Sequence, residues 1–182
     1  MNDDKYDLYR STGKTDKLTF IKAYFTDRVF RRVLYYRHFH DRGFGILARF
    51  GNHFLSKRMS LEIQPNAKIG KGMLFIHPYG ITINSQAVIG DNLTMLKGST
   101  IGNSKTGKVG APIIGNNVYI GLNSSVVGGV HIGNDVMIAA NTFVNFDVPD
   151  GALVIGSPGI IHERVKASKP YIVNSIDDMK IL

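Results

Sequence analysis

The stretch IGNNVYIGLNSSVVGGVHIGNDVMIAANTFV, Ile114 to Val144, decides the fold. Steps of six from its first residue land on Ile114, Ile120, Val126, Ile132, Ile138 and Val144, all β-branched aliphatics. Four residues after each stand Val118, Ser124, Val130, Val136, Thr142 and Val148, all small or β-branched. Gly or Ala follows the aliphatic at Gly115, Gly121, Gly133 and Ala139. A period of six fits neither an amphipathic helix nor an alternating strand. It fits a chain that turns a corner after every short strand and stacks coil on coil, each inward aliphatic resting on the one a full turn earlier. Small residues after the aliphatics relieve crowding at the corners.

Upstream the period persists in two blocks. Ile63, Ile69 and Phe75 keep one phase, and Ile83, Ile89, Met95 and Ile101 keep another, displaced by two residues. The slip falls in GMLFIHPYGITI, Gly72 to Ile83, and His77 stands in it. A second break, GNSKTGKVGAPI, holds seven residues too many for one repeat and reads as an exposed loop because of its glycines, lysines and Pro112. Insertions in repeat folds map to loops, often on the binding face.

N-terminal to Leu61 the pattern is different. Residues 1 to about 18 are polar and are expected to be loosely held. From about 18 to 59 apolar residues recur at helical spacing, as Phe25, Val29, Val33 and Tyr36, and again as Ile46, Phe50 and Phe54. DRGFG, Asp41 to Gly45, reads as a break between two helices. The expected division is therefore a polar and basic helical segment over 1–59, a solenoid over 60–161 and a C-terminal tail over 162–182.

The chain has 182 residues, a formal net charge of +8 and no cysteine. Without cysteine there is no disulfide framework, thiolate metal site or cysteine nucleophile. No apolar run reaches the ~20 residues that span a bilayer, and the start of the chain lacks a signal-peptide pattern, so a cytoplasmic location is expected. Between Arg28 and Arg58 eight basic residues face Asp41 alone. Such a block is either a solvated helix face or a surface for anionic partners, including peripheral contact with a membrane. No RNA-binding motif or zinc-finger spacing accompanies it, so nucleic acid is not expected. HFH, with His38 and His40, lacks a third ligand at sensible spacing, as does His53, and no metal is expected. His131 reads as a loop residue.

The period, LEIQPNAKIGKGMLFIHPYGITINSQAVIGDN and VPDGALVIGSPGIIHERV together resemble the hexapeptide-repeat acyltransferases, in particular the serine O-acetyltransferase group, from about Leu61 to Ile161. In wording, HPYGITINSQAVIG is similar to acetyltransferases of exopolysaccharide and capsule synthesis. The resemblance implies a left-handed parallel β-helix, a homotrimer, acetyl-CoA in the groove between neighbouring β-helices, and an active site at the subunit boundary. It places His77 as catalytic base and Glu62 where the family has the aspartate that orients that base. It places Ile76 where serine-specific members have an aspartate that binds the amino acid, and Ala111 where the family has a histidine before the proline.

The chemistry needs few groups. Acetyl transfer from a thioester to a hydroxyl requires a base for the hydroxyl proton, and a neutral imidazole suits that task. A carboxylate on the other ring nitrogen fixes the tautomer. Gly121, Ala139 and Ala140 would let a pantetheine arm approach the backbone, and Gly156, Ser157 and Lys166 would meet the nucleotide end. The alternative, that these small residues only serve the corners, stays open. With Ile76 and Ala111 in place of polar groups, a glycan hydroxyl is the expected acceptor and L-serine the alternative. A non-catalytic trimeric scaffold is the competing reading of another class.

Overall fold

The computed structural model describes residues 3–41, 60–64 and 66–179. The solenoid is a parallel β-helix of about five turns, with three sheets as the faces of a prism. The first face stacks Leu61–Ile63, Ile81–Ile83, Thr100–Gly102, Ser125–Val127 and Phe143–Val144. The second stacks Lys68–Ile69, Val88–Ile89, Ile113–Ile114 and His131–Ile132. The third stacks Leu74–Ile76, Thr94–Leu96, Tyr119–Ile120, Met137–Ile138 and Leu153–Ile155.

All twelve aliphatic and small positions read from Ile114 to Val148 are buried, so the six-residue pattern is the core itself. The corners explain the asparagines. Asn92, Asn117, Asn123, Asp135 and Asn141 all take a left-handed backbone conformation, which short polar side chains tolerate by bonding locally. Their side chains form ladders: Asn92 Nδ2 donates to Asn117 Oδ1 at 2.8 Å and Asn117 Nδ2 to Asp135 Oδ1 at 3.2 Å.

Register locates each irregularity. Ile83 pairs with Ile101 and Val126 with Val144, coils of 18 residues. Ile63 pairs with Ile83, a coil of 20, which is the slip at His77. Ile101 pairs with Val126, a coil of 25, which is the loop before Ile113. One irregularity departs from the sequence reading. Val148 bridges to Ile132 and Val154 pairs with Ile138, coils of 16, so two residues are missing after Val144 and Val148 takes an inward strand position.

The N-terminal segment is built into the fold. α1 (Asp4–Thr12), α2 (Lys17–Thr26) and α3 (Arg28–Asp41) precede the solenoid. Residues 4–12, expected to be loose, form a helix with Asp7 and Arg10 buried. The helix expected from residue 18 divides at Asp27, whose Oδ1 accepts from the amides of Val29 and Phe30 and caps α3. Val33 and Tyr36 are core, but Phe25 is 73% exposed. The DRGFG break after Asp41, and Ile46, Phe50 and Phe54, lie outside the described residues.

The first coil explains why arginines are buried here. Along the strands each coil's N–H groups donate to the carbonyls of the next, as Lys68 to Ala87 and Gly70 to Ile89. The first coil therefore has carbonyls with no coil beneath them, and unpaired buried carbonyls are costly. Side-chain donors meet them. Arg37 donates to Ile69 and Gly70, Arg10 to Gly72, Tyr36 to Ala67 and Arg32 to Leu61. Part of the basic block is thus a cap. Burial lowers the Arg10 and Arg32 guanidinium pKa values to about 10.

The other end closes by a hairpin, with Ile160–His162 antiparallel to Leu153–Ile155. The chain then returns along the edge between the second and third faces. Ser168 Oγ donates to Asn117 O at 2.5 Å, Ile176 N to Asn92 Oδ1 at 3.0 Å, and Arg10 donates to Val173 O.

Candidate active site

The edge between the third and first faces gathers most of the residues singled out by sequence. Its corners stack by backbone bonds: Gly98 N to Tyr79 O at 2.8 Å, Asn123 N to Lys97 O at 3.0 Å and Asn141 N to Leu122 O at 2.7 Å. His77 opens this column, and Gly121, Ala139, Ala140, Gly156 and Ser157 follow down it.

His77 is exposed, with φ +50°. Every other non-glycine residue of left-handed conformation among the described residues of 61–161 is Asn or Asp. A residue held there costs on the order of 1–3 kcal/mol, and such outliers cluster at functional sites. The surroundings enforce the turn. Pro78 is buried, Tyr79 N donates to His77 O at 2.7 Å, and Gly80 is left-handed in turn at φ +69°. The two additional residues of this coil therefore form a tight bend that carries the imidazole outward.

Glu62 lies on the adjoining first face, exposed, beside Thr82 of the strand that His77's corner feeds. Its Oε1 accepts from Gln64 Nε2 at 3.2 Å. Among the described residues no hydrogen bond or ion pair joins it to His77, so the expected contact is not formed here.

The small residues divide by role. A Cβ on Gly121 would stand 2.6 Å from Ala140 N and 2.8 Å from Ala139 C, so Gly121 is required by coil packing. Ala140 is exposed, and its amide has no protein acceptor among the described residues. Behind it Ser124 Oγ donates to Ala139 O at 2.6 Å and Thr142 Oγ1 accepts from Gly156 N at 3.1 Å. These stitches hold a narrow, small-walled and solvent-facing edge. Lys166 does not join it. It lies at the opposite edge, its amide near Gly151, lining a cavity of about 250 Å³ with Asn117, Asp135 and Asp177.

The loop between Gly102 and Ile113 projects from the edge between the first and second faces. Ser104 and Gly110 bridge its ends. Lys108 Nζ meets Asp147 Oδ2 at 2.5 Å, and this bond, with the His131 amide, holds the Asp147 carboxyl below the usual carboxylate range. Ala111 is half-buried at this loop's base, so within one chain the first face separates it from His77.

Tyr79 was not anticipated from sequence. Its ring is 62% exposed in the same bend as His77, and the only signal was an aromatic inside the slip. Ile76, just before His77, is half-buried. His38 Nε2 lies 3.5 Å from Asp4 Oδ2, and His131 is on the second face. Among the described residues no cluster of histidines and carboxylates could hold a metal.

Comparison with known proteins agrees with this fold. Residues 111–145 match the bacterial transferase hexapeptide (six repeats) family. The serine acetyltransferase of Helicobacter pylori is 37% identical over 121 residues, covering 65% of this chain and 70% of that protein. The structure of a Brucella abortus serine acetyltransferase in complex with coenzyme A superposes with a TM-score of 0.73 at 25% identity, over 90% of this chain and 66% of that one. A Neisseria gonorrhoeae serine acetyltransferase in complex with serine superposes with a TM-score of 0.66 at 27% identity, over 86% of this chain and 66% of that one.

Proposed function

This chain belongs to the hexapeptide-repeat acyltransferases, in the serine acetyltransferase group, and from that premise we propose that it is an acetyl-CoA-dependent O-acetyltransferase in which His77 activates the hydroxyl of serine. The observation that carries the reading is the position of His77, held in a left-handed bend by two inserted residues at the head of a small-walled edge. A scaffold needs neither the insertion nor the strain.

Acetyl-CoA supplies the acetyl group as an activated thioester. The His77 imidazole takes the acceptor's hydroxyl proton as it attacks, and no protein nucleophile is required. Glu62 and His77 are both exposed, and a rotamer change at Glu62 that exchanges Gln64 for the imidazole would fix the tautomer. The exposed column at Ala140 fits a pantetheine arm, whose amide oxygen can take the spare Ala140 N–H. Gly156 and Ser157 follow on the same edge, and Lys166 belongs to another. His77 and Ala111 flank the first face on opposite edges. That arrangement supports a site completed by a neighbouring subunit, in a homotrimer.

The relatives reported above are named for serine, and they support L-serine over the glycan acceptor and the exopolysaccharide kinship expected from sequence. One observation keeps the glycan as a second reading. Beside His77 stand Ile76 and the exposed Tyr79 ring, an apolar shelf that offers serine's ammonium no counter-ion. Thiol release from acetyl-CoA, measured with L-serine and with a panel of sugars and nucleotide-sugars, separates the two. Turnover on L-serine that no sugar competes against supports the first reading. Turnover on sugars alone replaces it with the second.

A further inference from the structure

The outermost element of the N-terminal end is α2. It packs on α1 and α3 through Ala23 and Phe20, the Phe20 ring standing edge-on to Phe30 at 5.6 Å between centroids. The opposite side of the helix is apolar too. Leu18, Ile21 and Phe25, spaced three and four residues apart, are 80%, 44% and 73% exposed. Residues at that spacing share one helix face. Lys14, Lys17, Lys22 and Arg28 are exposed around them. The nearby acids are engaged. Asp16 caps α2 through the Thr19 amide at 2.9 Å, and Asp27 caps α3. Arg31 is tied to the carbonyls at the end of α2.

We propose that α2 docks this protein on an anionic membrane surface, the Leu18, Ile21 and Phe25 side chains entering the headgroup boundary and the surrounding lysines meeting lipid phosphates. With its other side packed on α1 and α3, α2 presents outward an apolar face ringed by cations, the combination that binds an anionic interface. A second copy of the chain is the poorer occupant, because a symmetric contact would bring two lysine-ringed faces of like charge together. Arg32 and Arg37 of the basic block take no part in this contact, since they are buried in the cap. This docking does not depend on which acceptor the enzyme uses.

The test uses the full chain and vesicles of phosphatidylcholine with 30% phosphatidylglycerol, against pure phosphatidylcholine. The chain has no tryptophan, so Phe25→Trp introduces one reporter. The proposal expects co-sedimentation with the anionic vesicles that weakens with salt. It expects a blue-shifted emission in Phe25→Trp that brominated acyl chains quench. It also expects at least about a tenfold loss of binding in Leu18→Asp/Phe25→Asp, two large apolar groups being removed from the boundary, with melting and acetyl transfer unchanged. Equal binding by the double variant, an unquenched reporter, or no binding by the parent chain overturns it. So does a fall in assembly mass on light scattering in the double variant, which would assign the face to a second copy.

Discussion

Arg37 and Asp7 form a buried two-point ion pair, Arg37 Nε to Asp7 Oδ2 at 2.9 Å and Nη2 to Oδ1 at 3.1 Å, that locks α1 and α3 onto the first coil. Asp7 Oδ1 also accepts from Met73 N at 3.0 Å, and Arg37 also reaches the carbonyls of Ile69 and Gly70. Breaking such a pair from one side leaves a buried charge and costs about 3–5 kcal/mol. Asp7→Ala and Arg37→Met are each expected to lose that much in urea unfolding, and the double variant Asp7→Ala/Arg37→Met less than their sum.

Arg32 should behave in the opposite way. It is 1% exposed, its Nε and Nη1 have no hydrogen-bond partner among the described residues, and its Nη2 reaches Leu61 O only at 3.4 Å. Replacing a poorly partnered buried charge by an apolar group of similar shape is neutral or stabilising. Arg32→Met is expected to hold or raise the melting temperature, and a clear fall would show that its long bond to Leu61 O stabilises the cap after all.

Gly121→Ala tests the reading of that glycine as a packing residue. The added Cβ meets backbone at 2.6 Å, which cannot yield as a flexible side chain would. A loss of about 1–3 kcal/mol is expected from overpacking, seen in thermal unfolding. Full stability with weakened acetyl-CoA binding would instead make Gly121 a binding residue.

The loop tether carries a pH signature. Lys108 and the His131 amide depress the Asp147 carboxyl. A group depressed on folding contributes stability above its unfolded pKa and loses it as the pH falls through the folded one. By NMR titration the Asp147 midpoint is expected below that of a free aspartate, and Lys108→Ala should move it back toward that value.

The core was legible in the sequence because inward positions of a coil admit only aliphatic or small residues, so Ile114 through Val144 announce themselves by period. The bend at His77 and the loop before Ile113 were legible as losses of that period. The cap was not. Orphan carbonyls on the first coil exist only in three dimensions, and Arg10, Arg32 and Arg37 look like surface charge in one. Val148 misled because the deletion after Val144 leaves an aliphatic at a familiar spacing. Lys166 lies on another edge from the small residues grouped with it, because the returning strap has no repeat to trace, and the partner of Glu62, Gln64 here, is a matter of rotamer that no sequence pattern records.

The central claim is that His77, raised on its strained bend, activates the acceptor hydroxyl. It is tested most directly by thiol release from acetyl-CoA with L-serine, comparing the parent chain with His77→Ala and Glu62→Gln after equal assembly and melting have been confirmed. The account predicts a loss of about two to four orders of magnitude for His77→Ala and a smaller loss for Glu62→Gln. Near-full turnover by His77→Ala on the acceptor that the parent chain uses would contradict it.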